Sequence, residues 1–157
     1  MRLLLLLCVF TTHLTAQTLE VSGEVEKPLK LSLADLELLP HQTVDAVEHS
    51  GEKAQFTGVP LYQILKTAGV PMGEQLRGPA LSLYIVVIAA DGYQAIYALP
   101  ELDPLCNEGP VILADQKNGK PLDAATGPLR IILSKEKRHA RWVRQVIKIE
   151  VRRAAKP

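Results

Sequence analysis

The chain has little of what a crosslinked, metal-caged or nucleic-acid-binding protein needs. Only two cysteines occur in 157 residues, Cys8 within an early apolar run and Cys106 far downstream. Cys8 falls in a stretch that reads as a cleaved leader, which leaves Cys106 alone, so an internal disulfide is not expected and the fold must stand on its core. The four histidines, at positions 13, 41, 49 and 139, include no pair at i, i+2 or i+4, which leaves no zinc-binding spacing, and no metal site built from protein ligands is expected. Neither G-x-G-x-x-G nor G-x-x-x-x-G-K-[ST] occurs, so the usual phosphate loops are missing, and G-x-S-x-G, the nucleophile elbow, is missing too. Excess charge is also lacking: 18 basic and 17 acidic residues give a net charge of +1. Without a basic excess or a nucleic-acid motif, nucleic acid is not an expected partner.

What is present begins with MRLLLLLCVFTTHLTA, an early Arg followed by an apolar run over 3–10 and a short polar stretch ending at Ala16. That order predicts a secretory signal peptide over 1–16 and a periplasmic or secreted protein. The run is too short for a stable membrane anchor, which needs about 20 apolar residues. The remainder, 157 − 16 = 141 residues, suits one domain over 17–157.

Charge is informative in its distribution. Residues 135–157 hold nine basic and two acidic residues, a local excess of +7, while 17–134 carry −7. The stretch SKEKRHARWVRQ, 134–145, contains five of those cations, His139 and the only tryptophan, Trp142. Two readings stand side by side. The basic segment lies against the acidic body as solvated surface, or it meets an anionic group, for which Arg offers bidentate donors and an aromatic face can support a flat heterocycle.

Hydrophobic patterning predicts mostly strands. Residues 18–32 alternate on either side of a turn at 24–28, and 33–39 read as a short helix capped by Ser32 and stopped by Pro40. Residues 43–48 and 54–57 read as strands joined by a polar turn. Residues 58–70 place Leu61, Ile64, Leu65 and Ala68 at helical spacing, with Gly69 at the C-terminal end. Residues 73–80 read as a loop. A strand buried on both faces is expected over 81–91, a hairpin at Asp91-Gly92, a returning strand over 93–99 and a turn or short helix from Pro100. Strands follow at 111–114 and 129–134, with a tight turn at Asn118-Gly119. A last strand over 146–151 is expected to send Ile147, Ile149 and Val151 into the core. About eight strands and two or three short helices, in an order that does not repeat βαβ, predict an α+β, strand-rich mixed sheet or barrel-like domain. Cys106 reads as a small buried hydrophobe, the alternative being a reactive thiol.

Four stretches together carry a resemblance: FTGVPLYQILKTAGV at 56–70, AADGYQAIYALPELDP at 89–104, VILADQKNGKPLDAATGPLRIIL at 111–133 and KRHARWVRQVIKIEV at 137–151. In this order and spacing they resemble the molybdopterin-binding oxidoreductase domain of the sulfite oxidase family, especially its small, exported, single-domain members. The resemblance covers nearly all of 17–157. It implies the sulfite-oxidase-type α+β fold, molybdopterin as cofactor, and Arg138, His139 and Arg141 as cofactor-binding residues near its phosphate. For Arg141 the alternative is an ion pair with the acidic body. Trp142 is implied to fill the core beside the last strand.

Active members of that family supply a cysteine thiolate to molybdenum, a soft ligand that suits the metal. The matching segment here, TVDAVEHSGEKAQFTG, has no cysteine, and Ala46 or Val47 stands at or near its place. His49 lies close by but reads as a solvated turn residue. The family's His-Asn pair near its N-terminus has no match in 17–40 either. Two functional expectations follow. One is an oxidoreductase or redox subunit holding the pterin against the basic segment and passing electrons to a separate partner, since no haem or iron-sulfur motif is present. The other is a non-catalytic module that keeps the fold and binds a small anion or a protein partner. Catalytic residues are not assignable from the sequence.

Overall fold

The computed structural model describes residues 17–155, so the expected leader and Cys8 lie outside the described residues. Ten strands fall into two five-stranded sheets. In the first, the order is β2-β1-β10-β5-β6, with β1 (Thr18–Gly23), β2 (Leu29–Ser32), β5 (Leu83–Ala89), β6 (Gln94–Ala98) and β10 (Val146–Arg153). The β1–β10 pair is parallel and the others antiparallel, so the sheet is mixed. The second runs β3-β4-β7-β8, with β9 also paired to β7. Its strands are β3 (Gln42–Val47), β4 (Lys53–Pro60), β7 (Val111–Lys117), β8 (Lys120–Pro121) and β9 (Arg130–Leu133), all antiparallel. Three short helices complete the domain: α1 (Leu33–Glu37), α2 (Leu61–Thr67) and α3 (Leu99–Leu102). The α+β expectation holds.

The local signals act through ordinary chemistry. Ser32 accepts from the Asp35 backbone N–H at 3.1 Å while the Asp35 carboxylate accepts from the Ser32 N–H at 2.8 Å. This reciprocal capping satisfies donors that the first turn of α1 would otherwise leave unpaired. Helix α2 buries Leu61, Ile64 and Leu65 completely and ends at Gly69, whose φ of +79° suits a residue without Cβ. The expected helix over 58–70 begins only at Leu61, because Gly58 to Pro60 continue β4. A Cβ on Gly58 would stand 2.1 Å from the Leu113 carbonyl oxygen; glycine lets the two backbones approach where the β4–β7 register shifts. The expected loop over 73–80 contains 3-10 turns at Gly73–Gln75 and Gly78–Ser82.

The alternation in the last strand misplaces one residue. Ile147 is exposed, while Val146, Ile149 and Val151 are buried. A register shift between Val146 and Lys148 against β5 explains it. A bulge adds one residue and turns the side chains before it to the opposite face. Gln145, at φ +49°, leads the chain into this bulge. Cys106 corrects another expectation: it is exposed. It lies in a turn closed by its own N–H and that of Asn107, both donating to the Asp103 carbonyl at 2.9 Å, and Asp103 rather than the cysteine is the buried residue.

One apolar cluster draws on both sheets and on α2, with Phe56, Tyr97 and Trp142 among its members. Burial of this kind stabilises by roughly 25 cal/mol per Å² of apolar surface. The chain from 142 to 146 joins the sheets. The Ile131 N–H donates to the Val143 carbonyl at 2.8 Å and the Val146 N–H to the Leu129 carbonyl at 3.0 Å, so the approach to β10 is stitched onto β9. The basic segment is thereby held at the junction of the two sheets.

Candidate functional site

At that junction lies an open cleft of about 980 Å³. One wall is the turn after β3, with Val47, Glu48 and His49; the other is the segment from Ser134 to Arg144; Arg130 and Trp142 also line it. A smaller hollow of about 360 Å³ adjoins it beyond His139 and Trp142 and is bordered by Tyr93 and Arg144.

The two walls are tied together. His139, in a 3-10 turn over His139–Arg141, donates from Nε2 to the Val47 carbonyl at 2.7 Å. Its ring meets Trp142 edge-on at 4.2 Å between centroids and faces His49 at 6.0 Å. Trp142 is 4% exposed and packs edge-on against Phe56 at 5.9 Å. The structural role implied for this tryptophan is what the structure shows. Its indole Nε1, however, is buried without a hydrogen-bond partner among the described residues.

Arg130 opens β9 and is 9% exposed. Its guanidinium lies over the rings of Trp142 and Phe56 at 5.3 and 5.7 Å, and Nη1 donates to Glu48 Oε1 at 3.0 Å. Nε has no partner. Glu48 is also paired with Lys117 of β7. Burial alone would raise the Glu48 pKa, but the hydrogen bonds from Lys117 and Arg130 outweigh it and hold the carboxyl below its usual range. Lys117 is pushed up in turn, chiefly by its hydrogen bond to Glu48. A buried neutral donor without a partner costs about 1–3 kcal/mol, and one on a charged group more. Arg130 Nε and Trp142 Nε1 are such donors, both buried and without partners among the described residues, so this wall holds donor capacity that folding has not used.

The three residues expected near a phosphate take three different roles. Arg138 is exposed and lines the cleft. His139 lines it too but spends Nε2 on Val47. Arg141 faces away from it. Its Nε and Nη2 bind the two oxygens of Glu136 at 2.9 and 2.8 Å, and Nη1 binds both oxygens of Glu101 at 3.0 and 2.8 Å. Its guanidinium also lies 5.1 Å over the Tyr97 ring, and Tyr97 donates back to the Arg141 carbonyl. Of the two roles weighed for Arg141, the ion pair is the one formed. The hydrogen bond to Glu136 leads in pushing its pKa up, and burial pushes the Tyr97 hydroxyl up as well.

Sequence reasoning passed over Lys135, Lys137 and Arg144 as individual site residues, and over Arg130 and Glu48. The first three line the cleft with Arg138, and among the described residues none of the four enters an ion pair. Five cations and two carboxylates thus line the cleft, an excess of three positive charges with histidines neutral. A signal for Arg130 was available: it is the one charged residue in the apolar run 129–133. For Glu48 the signal was the inward alternation of Val44 and Ala46, which it extends by one further strand period.

The donor set fits the anionic end of a pterin cofactor and does not fit its metal. Ala46 is buried and Val47 is exposed, and neither carries a ligand atom. No group of three or more His, Cys, Asp or Glu side chains could hold a metal among the described residues. Cys106 lines none of the cavities described here. No described helix is long and apolar enough to cross a membrane.

The family model of the oxidoreductase molybdopterin binding domain matches residues 9–157. Among solved structures, the chain is similar to the sulfane dehydrogenase SoxCD from Paracoccus pantotrophus, with a TM-score of 0.68 and 21% identity. The match covers 86% of this chain and 38% of that chain, so the likeness is one of fold and the chain spans well under half of its neighbour's length. No curated protein matches it in sequence.

Proposed function

Because the chain belongs to the oxidoreductase molybdopterin binding domain family, we propose that it holds a molybdopterin by its phosphate, in the cleft between the β3–β4 turn and residues 134–144. The observation that carries this reading is the set of four unpaired cations, Lys135, Lys137, Arg138 and Arg144, on one cleft. Charge-assisted hydrogen bonds to phosphate are shorter and about twice as strong as neutral ones. Arg138 and Lys137 would bind the phosphate, and Arg130 and Trp142 would line the space left for the heterocycle. His139 ties the two walls of the cleft together.

When bound, molybdopterin supplies two sulfur ligands for molybdenum and with the metal an oxo-transfer centre. The absent thiolate at Ala46 or Val47 argues that this chain does not complete such a centre alone, and no redox step is assigned to its residues. The observation favours the second of the two functional expectations, a binding module that keeps the fold. An exported setting belongs to the same reading, supported by the leader-like first sixteen residues. A separate redox partner enters only if metal is retained.

The test is the molybdenum and pterin content of protein purified after export from a host that makes the cofactor. Pterin without metal is expected, and its amount should fall when Lys137 and Arg138 are both replaced by alanine. Near-stoichiometric metal would favour the redox-subunit reading. Absence of both would overturn cofactor binding.

A further inference from the structure

The wall of the cleft that follows Ala46 and Val47 is not merely short of a thiolate; it carries a charge of the wrong sign for an anion. Glu48 follows Ala46 by one strand period. Its backbone is fixed by the turn, with the Glu48 N–H donating to the Glu52 carbonyl and the Gly51 N–H to the Glu48 carbonyl, both at 2.8 Å. From there its carboxylate meets Lys117 of β7 and Nη1 of Arg130 on β9. Two strands, β7 and β9, therefore bring cations to one turn carboxylate inside a basic cleft. Its side chain is 17% exposed and that of Arg130 10%, so the pair is screened by little water and the carboxylate is a strong competitor for the guanidinium.

We propose that Glu48 is a specificity-determining residue: it acts as an internal counter-anion on Arg130 and so limits the charge of the ligand that the cleft accepts. The proposal rests on the reading of the cleft as an anion-binding site. A ligand phosphate can use Lys137 and Arg138 at the mouth without disturbing Glu48. A second anionic group placed deeper would face the Glu48 carboxylate and would have to displace it from Arg130. The cleft thus favours ligands anionic at one end and neutral, hydrogen-bond-accepting at the other. Arg130 Nε and Trp142 Nε1, both buried and lacking partners among the described residues, would serve such a neutral end only as their side chains shift toward it.

Inorganic pyrophosphate is the probe, since its charge is dense enough to occupy the mouth and reach inward. Titration calorimetry of the wild-type chain and of Glu48→Gln, in low salt, should show binding to both and a gain of about tenfold in the variant. Arginine side-chain NMR on the wild-type chain supplies a second readout that does not depend on the variant's folding. The Arg130 Nε–H signal should move little with inorganic phosphate, which is satisfied at the mouth, and strongly only at high pyrophosphate concentrations. Equal affinities in the two proteins would overturn the role of Glu48 while leaving the basic cleft intact. An Arg130 signal that moves fully as the first phosphate binds would overturn it as well. No binding by either protein would remove the anion-binding reading and the inference with it.

Discussion

Arg130 and Arg141 are both guanidinium groups laid over aromatic rings, yet they sit in opposite electrostatic situations. Around Arg141, on the side of β6 and α3, every guanidinium nitrogen has an acceptor, from two carboxylates held by different parts of the chain. Around Arg130, on the side of β9 and the 48–52 turn, one carboxylate is shared with Lys117 and Nε is left without a partner among the described residues. An arginine whose every nitrogen is engaged by carboxylates keeps little donor capacity for a ligand and serves to hold elements together. An undersatisfied one beside a cleft keeps binding capacity that folding did not consume. Tertiary pairing therefore divides one basic segment into a structural half, centred on Arg141, and a cleft-lining half of Lys135, Lys137, Arg138 and Arg144.

Trp142 lies between the two regions, and removing it should erase the distinction. Trp142→Ala is expected to cost about 3–5 kcal/mol in urea unfolding, with loss of anion binding, because the stack that positions Arg130 and His139 collapses. Arg141→Ala should cost about 1–2 kcal/mol, less than a fully buried pair because its side chain is 36% exposed. Pyrophosphate affinity of that variant should stay within about twofold of wild type; a larger loss would place Arg141 among the ligand residues after all.

Replacing Lys137 and Arg138 together by alanine should do the reverse. Affinity for pyrophosphate should fall about tenfold, on the order of 1.4 kcal/mol, and its salt dependence should flatten, while stability changes by less than about 0.5 kcal/mol. The two regions should also differ in acid. The folded-state pKa of Glu48 is depressed, with Lys117 and Arg130 overcoming the effect of burial. Its contribution is therefore present above its unfolded pKa of about 4.3 and is lost as the pH falls through the lower folded value. Thermal midpoints from pH 7 to 3 should show the wild-type chain losing stability more steeply than Glu48→Gln over that range. Cys106→Ser should change stability least, by less than about 0.5 kcal/mol, and in the unfolded-free native protein a thiol reagent should react with Cys106 readily, as its exposure requires.

Strand and turn positions were legible because they depend on short-range order. The alternation in 18–32, the Ser32 cap, the Asp91-Gly92 hairpin and the Asn118-Gly119 turn each involve residues a few positions apart, and each forms as the pattern implies. The motifs at 56–70, 89–104, 111–133 and 137–151 were enough to indicate the family that the match over residues 9–157 shows. The absent thiolate was equally plain, since it needs only a reading of residues 43–58.

Three things were decided by the tertiary structure alone. Ile147 alternates like a core residue, but a bulge opposite β5 sets the register and turns it outward. Arg141 and Arg138 are equivalent as sequence, three positions apart in one basic run. They part because Glu101, 40 positions away, is brought within 2.8 Å of one of them. Glu48 and Arg130 are separated by 82 positions and meet only because β4, β7 and β9 are laddered in one sheet. Charge is written residue by residue, whereas its pairing depends on which distant strands lie side by side, and the dense packing of the core settles that for the chain as a whole.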